Sequence, residues 1–257
     1  MIKSIFNIWL IMAMVVFTIT SVVASGGDSF ERFFERNLKQ SRPEIFTTAS
    51  TDFAELIEKL EEKRLKVKSD ESFLKYVFYA VHRKYLGEYK QYVALGEIFD
   101  KRRQYDCVTG TALYALVLDH FGFLYEIRET DYHVYLLAYA EGKKYMLEST
   151  DALYGITKDQ EEIQARRKMI MDDAKKINAE LAMSGVGSDE QYISELIDNK
   201  VTLKELSGLH YYNLALAELN NQNFSQAFTL VTKAYHLYPS ERIKQTASLV
   251  FALAFED

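Results

Sequence analysis

Residues 106–151, from which most of the fold is predicted, read DCVTGTALYALVLDHFGFLYEIRETDYHVYLLAYAEGKKYMLESTD. Its first part places Cys107, the only cysteine of the chain, just before a run of apolar residues at helical spacing that ends at Gly122. Two β-like runs follow, with His133 on the first and Glu148 at the end of the second. This order predicts an α+β unit in which the helix that carries the thiol packs on a small antiparallel sheet.

Cys107 stands where a helix start would make a thiol reactive. Asp106, directly before it, is a residue type that favours the N-cap. The positive end of the helix dipole and the unpaired N–H groups of the first turn favour a thiolate there, and the same groups can face an oxyanion. A lone cysteine is also often no more than a small buried hydrophobe. The presence of His133 and Glu148 in the same stretch favours the nucleophile.

His133 and Glu148 complete the candidate site. His133 lies in the run 132–139, and residues 141–142 (EG) mark a turn to the next strand. Antiparallel pairing across that turn would bring Glu148 near His133, so that the carboxylate orients the imidazole and the imidazole activates the thiol. A histidine on an apolar strand is also often a hydrogen-bonded core residue. Asp151 is a rival carboxylate, but it falls after the strand, so Glu148 is preferred.

At these residues the chain resembles the transglutaminase-like superfamily, a branch of the papain-like cysteine hydrolase fold. The likeness lies in the Asp-Cys pair before a small-residue helix, a histidine that heads a strand, and a carboxylate-x-Thr motif at 148–150 (EST), where the family usually has Asp-Pro-Thr. It is greatest to bacterial members in which such a domain precedes tetratricopeptide-like helices. The resemblance implies Cys107 as nucleophile, His133 as general base and acid, and Glu148 as orienting carboxylate. Tyr135 stands where the family often has tryptophan.

The resemblance also implies a side chain that donates to the oxyanion, as a glutamine does in papain-like enzymes. Gln91, Tyr92 and Gln104 precede the nucleophile and are the candidates. Their spacing does not single one out, and exposed surface polarity is the alternative role for each.

Composition excludes several classes of function. The net charge of −6 gives nonspecific nucleic-acid binding no electrostatic basis. A single cysteine rules out an internal disulfide framework. The five histidines are scattered, without the close spacing of metal ligands, so neither a metal nor another cofactor is predicted.

The first 24 residues predict export. Lys3 is followed by ten unbroken apolar residues, 8–17, and the segment 22–24 (VVA) fits the small-residue cleavage rule. An uncleaved membrane anchor is the competing interpretation, because 4–24 is nearly long enough to span a bilayer. Polar residues at 18–21 favour cleavage, and hence a periplasmic or extracellular protein that meets the membrane only if this segment is retained.

The remainder is predicted to be mostly helical. Helices are expected at 28–40, 50–68 and 70–89 within a main domain at 28–157, followed by a helical connector at 158–207. The connector contains a long helix at 158–181, a glycine-containing linker at 184–189 and a further helix at 191–206. Residues 208–257 are expected to form one tetratricopeptide-type hairpin and a capping helix. A hairpin of this kind cannot bury both faces alone, so it should pack on the preceding elements.

The sequence therefore predicts an exported cysteine protease or amidase that transfers an amide acyl group to Cys107 and then to water or an amine. Its partners would be a peptide or protein substrate and a protein docked at the C-terminal helices. The alternative is a noncatalytic binding scaffold with a papain-like cleft that has lost turnover.

Overall fold

A computed structural model of the chain describes residues 26–39, 42–183 and 197–255. Over these ranges it is an α+β protein with eight α-helices and a small antiparallel sheet, as the sequence predicts. The expected export signal at 1–24 and the linker at 184–189 lie outside the described residues. Among the helices in the described ranges, none is long and apolar enough to cross a membrane.

The helices enclose one short helix, α4 (Cys107–His120), which is mostly apolar and whose residues 107–118 are all buried. Its packing against helices on several sides and a sheet explains why its apolar residues are not confined to one face. In chain order the helices are α1 (Gly26–Phe34), α2 (Pro43–Lys66), α3 (Asp70–Tyr85), α4 (Cys107–His120), α5 (Gln160–Met183), α6 (Leu203–Asn220), α7 (Phe224–Leu237) and α8 (Glu241–Phe255).

The main sheet has five strands in the order β6-β5-β4-β3-β7, and every neighbouring pair is antiparallel. A separate parallel pair joins β1 to β2 ahead of α4. The strands are β1 (Glu88–Tyr89), β2 (Gln104–Tyr105), β3 (Leu124–Thr130), β4 (Val134–Ala140), β5 (Lys143–Leu147), β6 (Ile156–Thr157) and β7 (Asp198–Val201).

The β4–β5 connection confirms the predicted turn. Glu141 and Gly142 have φ values of 51° and 71°, the left-handed conformation that a two-residue hairpin turn requires at both positions. Ala140 consequently pairs with Lys143, and Leu136 with Leu147. This register fixes which residues meet at the far end of the hairpin.

Both faces of β4 are covered, which explains its nearly continuous apolar sequence. Leu136 and Ala138 belong to the main core together with α4. A smaller core cluster combines β4 and β5 residues with α5, and consists of Tyr135, Leu137, Met146, Ile163 and Ile170.

The helix expected at 191–206 is wrong at residues 198–201, whereas residues 203–206 are helical as expected. Asp198–Val201 forms β7, which pairs with β3, and α6 begins after it, at Leu203. Thr202 is the N-cap and forms a capping box with Glu205. Only the free edge of β3, about 70 residues earlier, makes a strand of these four residues, which is why local periodicity gives no sign of it.

Three other helix boundaries differ from expectation. The expected helix at 50–68 begins at Pro43, because proline is favoured at the first helical position. The helix expected at 70–89 ends at Tyr85, since Glu88 and Tyr89 pair with β2. The helix expected at 28–40 changes after Phe34 into a π-helical turn, Glu35–Lys39.

The C-terminal helices pack on the rest of the chain, as expected of a hairpin that cannot bury both faces alone. In α6, the Tyr211 hydroxyl donates to the carbonyl of Arg36 at 2.6 Å, and Ser207 accepts from Asn37 at 3.0 Å. At Gly208 a Cβ would lie 2.6 Å from the Cβ of Tyr238, so the close approach of the chain after α7 requires glycine. The tetratricopeptide type of the hairpin stays a prediction.

Candidate active site

Cys107 is the first residue of α4, as predicted, and is 7% exposed. Asp106 before it is the N-cap, and its side chain accepts from the backbone N–H of Thr109 at 2.8 Å. The Thr109 hydroxyl in turn accepts from the backbone N–H of Asp106 at 2.9 Å, which completes a capping box. Burial raises the pKa of the Asp106 carboxyl, against the hydrogen bonds from Thr109 and Asn213. The capping box therefore fixes the start of α4.

His133 lies one residue before β4, and its backbone is held in place from both sides. The N–H of Thr130 donates to the carbonyl of His133 at 2.8 Å, and the N–H of His133 donates to the Thr130 hydroxyl at 3.1 Å. The start of β4 is also bonded to α4, because the Thr111 hydroxyl donates to the carbonyl of Val134 at 3.3 Å. These bonds place the imidazole beside the first turn of α4.

Glu148 follows β5 directly and joins His133 at this end of the sheet. Its Oε2 lies 2.6 Å from Nε2 of His133. Its Oε1 accepts from the backbone N–H and the hydroxyl of Thr150, at 3.1 and 2.7 Å. The β4–β5 register makes Glu148 and His133 diagonal rather than directly opposite neighbours, a separation that a glutamate side chain spans. His133 lies further from the turn at 141–142 than Glu148 does, and the diagonal arrangement explains why the two side chains still meet.

The loop after Glu148 closes tightly on itself. The backbone N–H of Glu148 donates to the carbonyl of Gly155 at 2.7 Å. A Cβ at Gly155 would lie 2.3 Å from the Glu148 carbonyl oxygen, so only glycine permits this closure. The carboxylate thus extends from a rigid strand end and a compact loop.

The pKa shifts describe a charged imidazole between two acidic partners. Burial lowers the pKa of His133, but hydrogen bonding to Cys107 and to Glu148 outweighs it and raises the pKa to about 10. Burial raises the pKa of Glu148, but His133 and Thr150 together bring it below its ordinary value. Because Glu148 occupies Nε2, Nδ1 is the ring nitrogen left for the thiol. The structure therefore brings all three predicted residues together, with His133 in the middle.

Asp151 does not contact His133. Its Oδ1 accepts from the backbone N–H groups of Leu153 and Tyr154 at 3.2 and 2.9 Å, and its Oδ2 lies 3.4 Å from Arg166. Asp151 therefore shapes the loop, and Glu148 is the carboxylate beside the imidazole.

The three oxyanion candidates separate in the structure. Gln91 and Tyr92 line the same cavity as Cys107. Gln104 is buried in β2, and its amide donates to Glu88 at 3.1 Å, so it faces away from that cavity. Tyr92 has a φ of 58°, a conformation that is rare for a bulky residue and that points to a local constraint at the site.

Tyr89 is a cavity residue that the sequence does not single out. Burial is the main cause that raises the pKa of its phenol, and the acidic groups Cys107, Asp106 and Glu148 add to it. Tyr92 is affected in the same way, by burial and then by Tyr212 and Cys107. Two neutral phenols therefore stand beside the thiol and can donate hydrogen bonds.

The cavity has a volume of about 940 Å³ and two helical walls. One wall is α5, with Met169, Ile170 and Ile177. The other comes from α6 and α8 and includes Tyr212, Asn213 and Arg242. More than 100 residues separate Cys107 from this second wall, so no local pattern could have predicted it.

The second wall is bonded to the elements that carry the candidate site residues. Asn213 donates to Asp106 Oδ2 at 3.2 Å, so α6 helps to hold the cap of the nucleophile helix. Arg242 pairs with the buried carboxylate of Glu129 on β3 and donates to the carbonyl of Asp131 at 2.6 Å. Glu129 also accepts from the Tyr238 hydroxyl at 2.6 Å. The C-terminal helices are therefore part of the site.

Within the described ranges, no group of three or more His, Cys, Asp or Glu side chains is arranged to hold a metal ion. The chemistry available at the site is that of a thiol, an imidazole, a carboxylate and neutral hydrogen-bond donors. Comparison of the chain with protein-family models, with curated proteins and with solved structures found no match.

Proposed function

We propose that this chain is an exported cysteine-dependent hydrolase of the transglutaminase-like type, which cleaves or transfers an amide or peptide acyl group. One observation carries the proposal: His133 bonds Glu148 through Nε2 and interacts with Cys107, at the edge of a cavity large enough for a peptide segment. A nucleophile, a base and a group that orients the base are the minimal set for covalent acyl transfer.

The first half of the reaction forms a thioester. The Cys107 sulfur, as thiolate, attacks the carbonyl carbon of the amide, and the carbonyl oxygen becomes an oxyanion. The imidazolium of His133 then gives its proton to the amide nitrogen, the C–N bond breaks, and the amine leaves. The product is an acyl-enzyme on Cys107 and a neutral His133.

The second half releases the acyl group. Water, or another amine, attacks the thioester carbon while His133 removes its proton, and the C–S bond breaks to restore the thiolate and imidazolium pair. Glu148 fixes the imidazole orientation and stabilises its charged form throughout. The N–H groups of Cys107 and Val108, in the first turn of α4, have no intrahelical acceptor. Together with Gln91 or Tyr92 they are the donors for the oxyanion.

The rate of Cys107 alkylation by iodoacetamide near neutral pH tests the proposal. A thiol that a neighbouring imidazole activates should react about tenfold or more faster than a free thiol. His133→Ala and Glu148→Gln should both slow labelling, because the first removes the activating imidazole and the second removes the carboxylate that orients it. Intact mass after timed quenching gives the rates.

Asp151→Asn is the matched control. It removes a neighbouring carboxylate that touches Arg166 rather than His133, so it should leave the rate unchanged. Labelling of the wild type only after denaturation would contradict the proposal and would favour the noncatalytic scaffold. Far-UV circular dichroism establishes that each variant is folded.

A further inference from the structure

The α5 wall of the cavity carries large apolar side chains that are open to solvent. Met169 is 60% exposed and Ile177 is 37% exposed, and both line the cavity that contains Cys107. Tyr132, also on the cavity, is 40% exposed. Scattered exposed apolar residues are ordinary, but a group of them in one concave site is typical of a binding surface.

These residues are distinct from the part of α5 that builds the core. Ile163 and Ala174 are buried where α5 packs on the sheet. Met169, Asp173 and Ile177 follow one another at intervals of four residues, which places them on one stripe of the helix. This stripe is joined to the loop between β3 and β4 that carries His133, because the Tyr132 hydroxyl donates to Asp173 at 3.4 Å.

Charged groups on the cavity lining are already matched by partners of the chain. Arg166 bonds Glu162 at 2.7 Å and lies 3.4 Å from Asp151. Arg242 pairs with Glu129. A charged substrate group would have to displace one of these pairs or lose hydration without compensation, whereas an apolar group meets the exposed side chains of α5 directly.

The position of this stripe relative to His133 identifies which half of the substrate it contacts. The ring of Tyr132 lies 6.0 Å from the ring of His133, centroid to centroid. In the proposed reaction His133 gives its proton to the departing amine, so the amine half of the substrate lies on the imidazole side of Cys107.

We propose that the α5 stripe, Met169 and Ile177 with Tyr132, is a subsite for a large apolar side chain on the amine half of the substrate. This rests on the proposed acyl transfer and specifies its substrate class: amides in which the nitrogen belongs to a residue such as leucine or phenylalanine. An amine that attacks the acyl-enzyme in the reverse direction must occupy the same subsite.

Transfer of an acyl group from Cys107 to different amines tests the subsite, and the formation of the acyl-enzyme tests the reactivity of Cys107 separately. p-Nitrophenyl acetate acetylates Cys107, with formation of the C–S bond and loss of p-nitrophenolate, which is seen as a burst. Water or an added amine then takes the acetyl group. Leucine amide and glutamic acid α-amide have the same attacking group and similar length, so the ratio of their acetylated products, measured by mass spectrometry, reports the side-chain preference.

We expect leucine amide to be acetylated at least roughly tenfold faster than glutamic acid α-amide, because an apolar surface favours the former and strips water from the carboxylate of the latter. Met169→Asp should reduce this ratio. Gln164→Asp is the control, since it adds the same charge at an exposed position of α5 that lies neither on the stripe nor on the cavity. Met169→Leu should retain the preference.

The outcomes separate the two proposals. A burst followed by equal capture of both amines, or by hydrolysis alone, overturns the subsite and leaves the acyl-transfer proposal standing. The absence of both a burst and iodoacetamide labelling in the native protein overturns both. A loss of preference in Gln164→Asp equal to that in Met169→Asp would show a general effect of charge and would also overturn the subsite.

Discussion

At the scale of single residues, His133 is the centre of the site because it has acidic partners on two sides. A buried histidine without such partners would have a lowered pKa, because burial disfavours the charged form of the imidazole. Hydrogen bonds with Cys107 and Glu148 reverse that direction in this chain. The imidazole is therefore expected to be charged at neutral pH, when an isolated histidine is mostly neutral.

The titration of His133 tests this expectation. Its pKa is raised from 6.5 to about 10, so its NMR ring signals should keep the protonated pattern from pH 6 to pH 9. Cys107→Ser and Glu148→Gln should each lower the midpoint, because each removes one stabilising partner. A wild-type midpoint near 6.5 would contradict the ion pair.

The same shifts predict how the pair contributes to stability. The folded pKa of His133 lies above its unfolded value, so its contribution is complete below pH 6.5 and is lost as pH rises towards about 10. The pKa of Glu148 is lowered, so its contribution is present above its ordinary value of 4.5 and is lost as pH falls through the folded value. The difference in unfolding free energy between wild type and His133→Ala should therefore shrink from pH 6 to pH 9.

At the scale of elements, two of the helices that line the cavity, α4 and α6, begin with a capping box. Asp106 and Thr109 form the box at α4, and Thr202 and Glu205 form the one at α6. Both boxes satisfy N–H groups that a helix start leaves unpaired. Only the box at α4 adjoins Cys107.

The two capping boxes provide a matched pair of substitutions. Asp106→Ala and Thr202→Ala should each lower the free energy of unfolding by about 0.5–2 kcal/mol, the usual cost of losing an N-cap. Asp106→Ala should also slow iodoacetamide labelling, because Cys107 occupies the turn that loses its cap. Thr202→Ala should leave the labelling rate unchanged. Urea denaturation and timed alkylation measure the two effects, and equal slowing in both variants would show that the cap of α4 has no special role.

At the scale of the whole molecule, the C-terminal helices share one core with the elements that carry the candidate site. Leu206, Leu209 and Ala215 of α6 belong to the same hydrophobic cluster as Leu113 of α4 and Val81 of α3. Removal of the C-terminal helices α6, α7 and α8 would expose this surface on both pieces. It would also leave Glu129 without the C-terminal partners that compensate its buried charge.

A fragment of residues 197–257 should therefore be poorly folded or self-associated in isolation. It should show reduced helicity by circular dichroism and no cooperative thermal transition as a monomer, whereas the full chain should unfold cooperatively. A monomeric fragment with a cooperative transition, established by size-exclusion chromatography and thermal melting, would contradict this dependence.

The sequence by itself determined the parts of the protein that depend on near neighbours. The N-cap at Asp106, the apolar run of α4 and the left-handed turn at Glu141-Gly142 are local features, and each forms where the sequence predicts it. The turn also sets the register that brings Glu148 to His133, so the pairing of these two residues follows from short-range rules.

Only the tertiary structure decided what encloses those residues. Val201 becomes part of a strand because β3 presents a free edge, and Asn213 reaches the Asp106 cap because α6 packs on α4. The exposure of Met169 on the cavity depends on which side of α5 the sheet covers. These contacts join residues far apart in the chain, and their free energy comes from packing and pairing that no local pattern records.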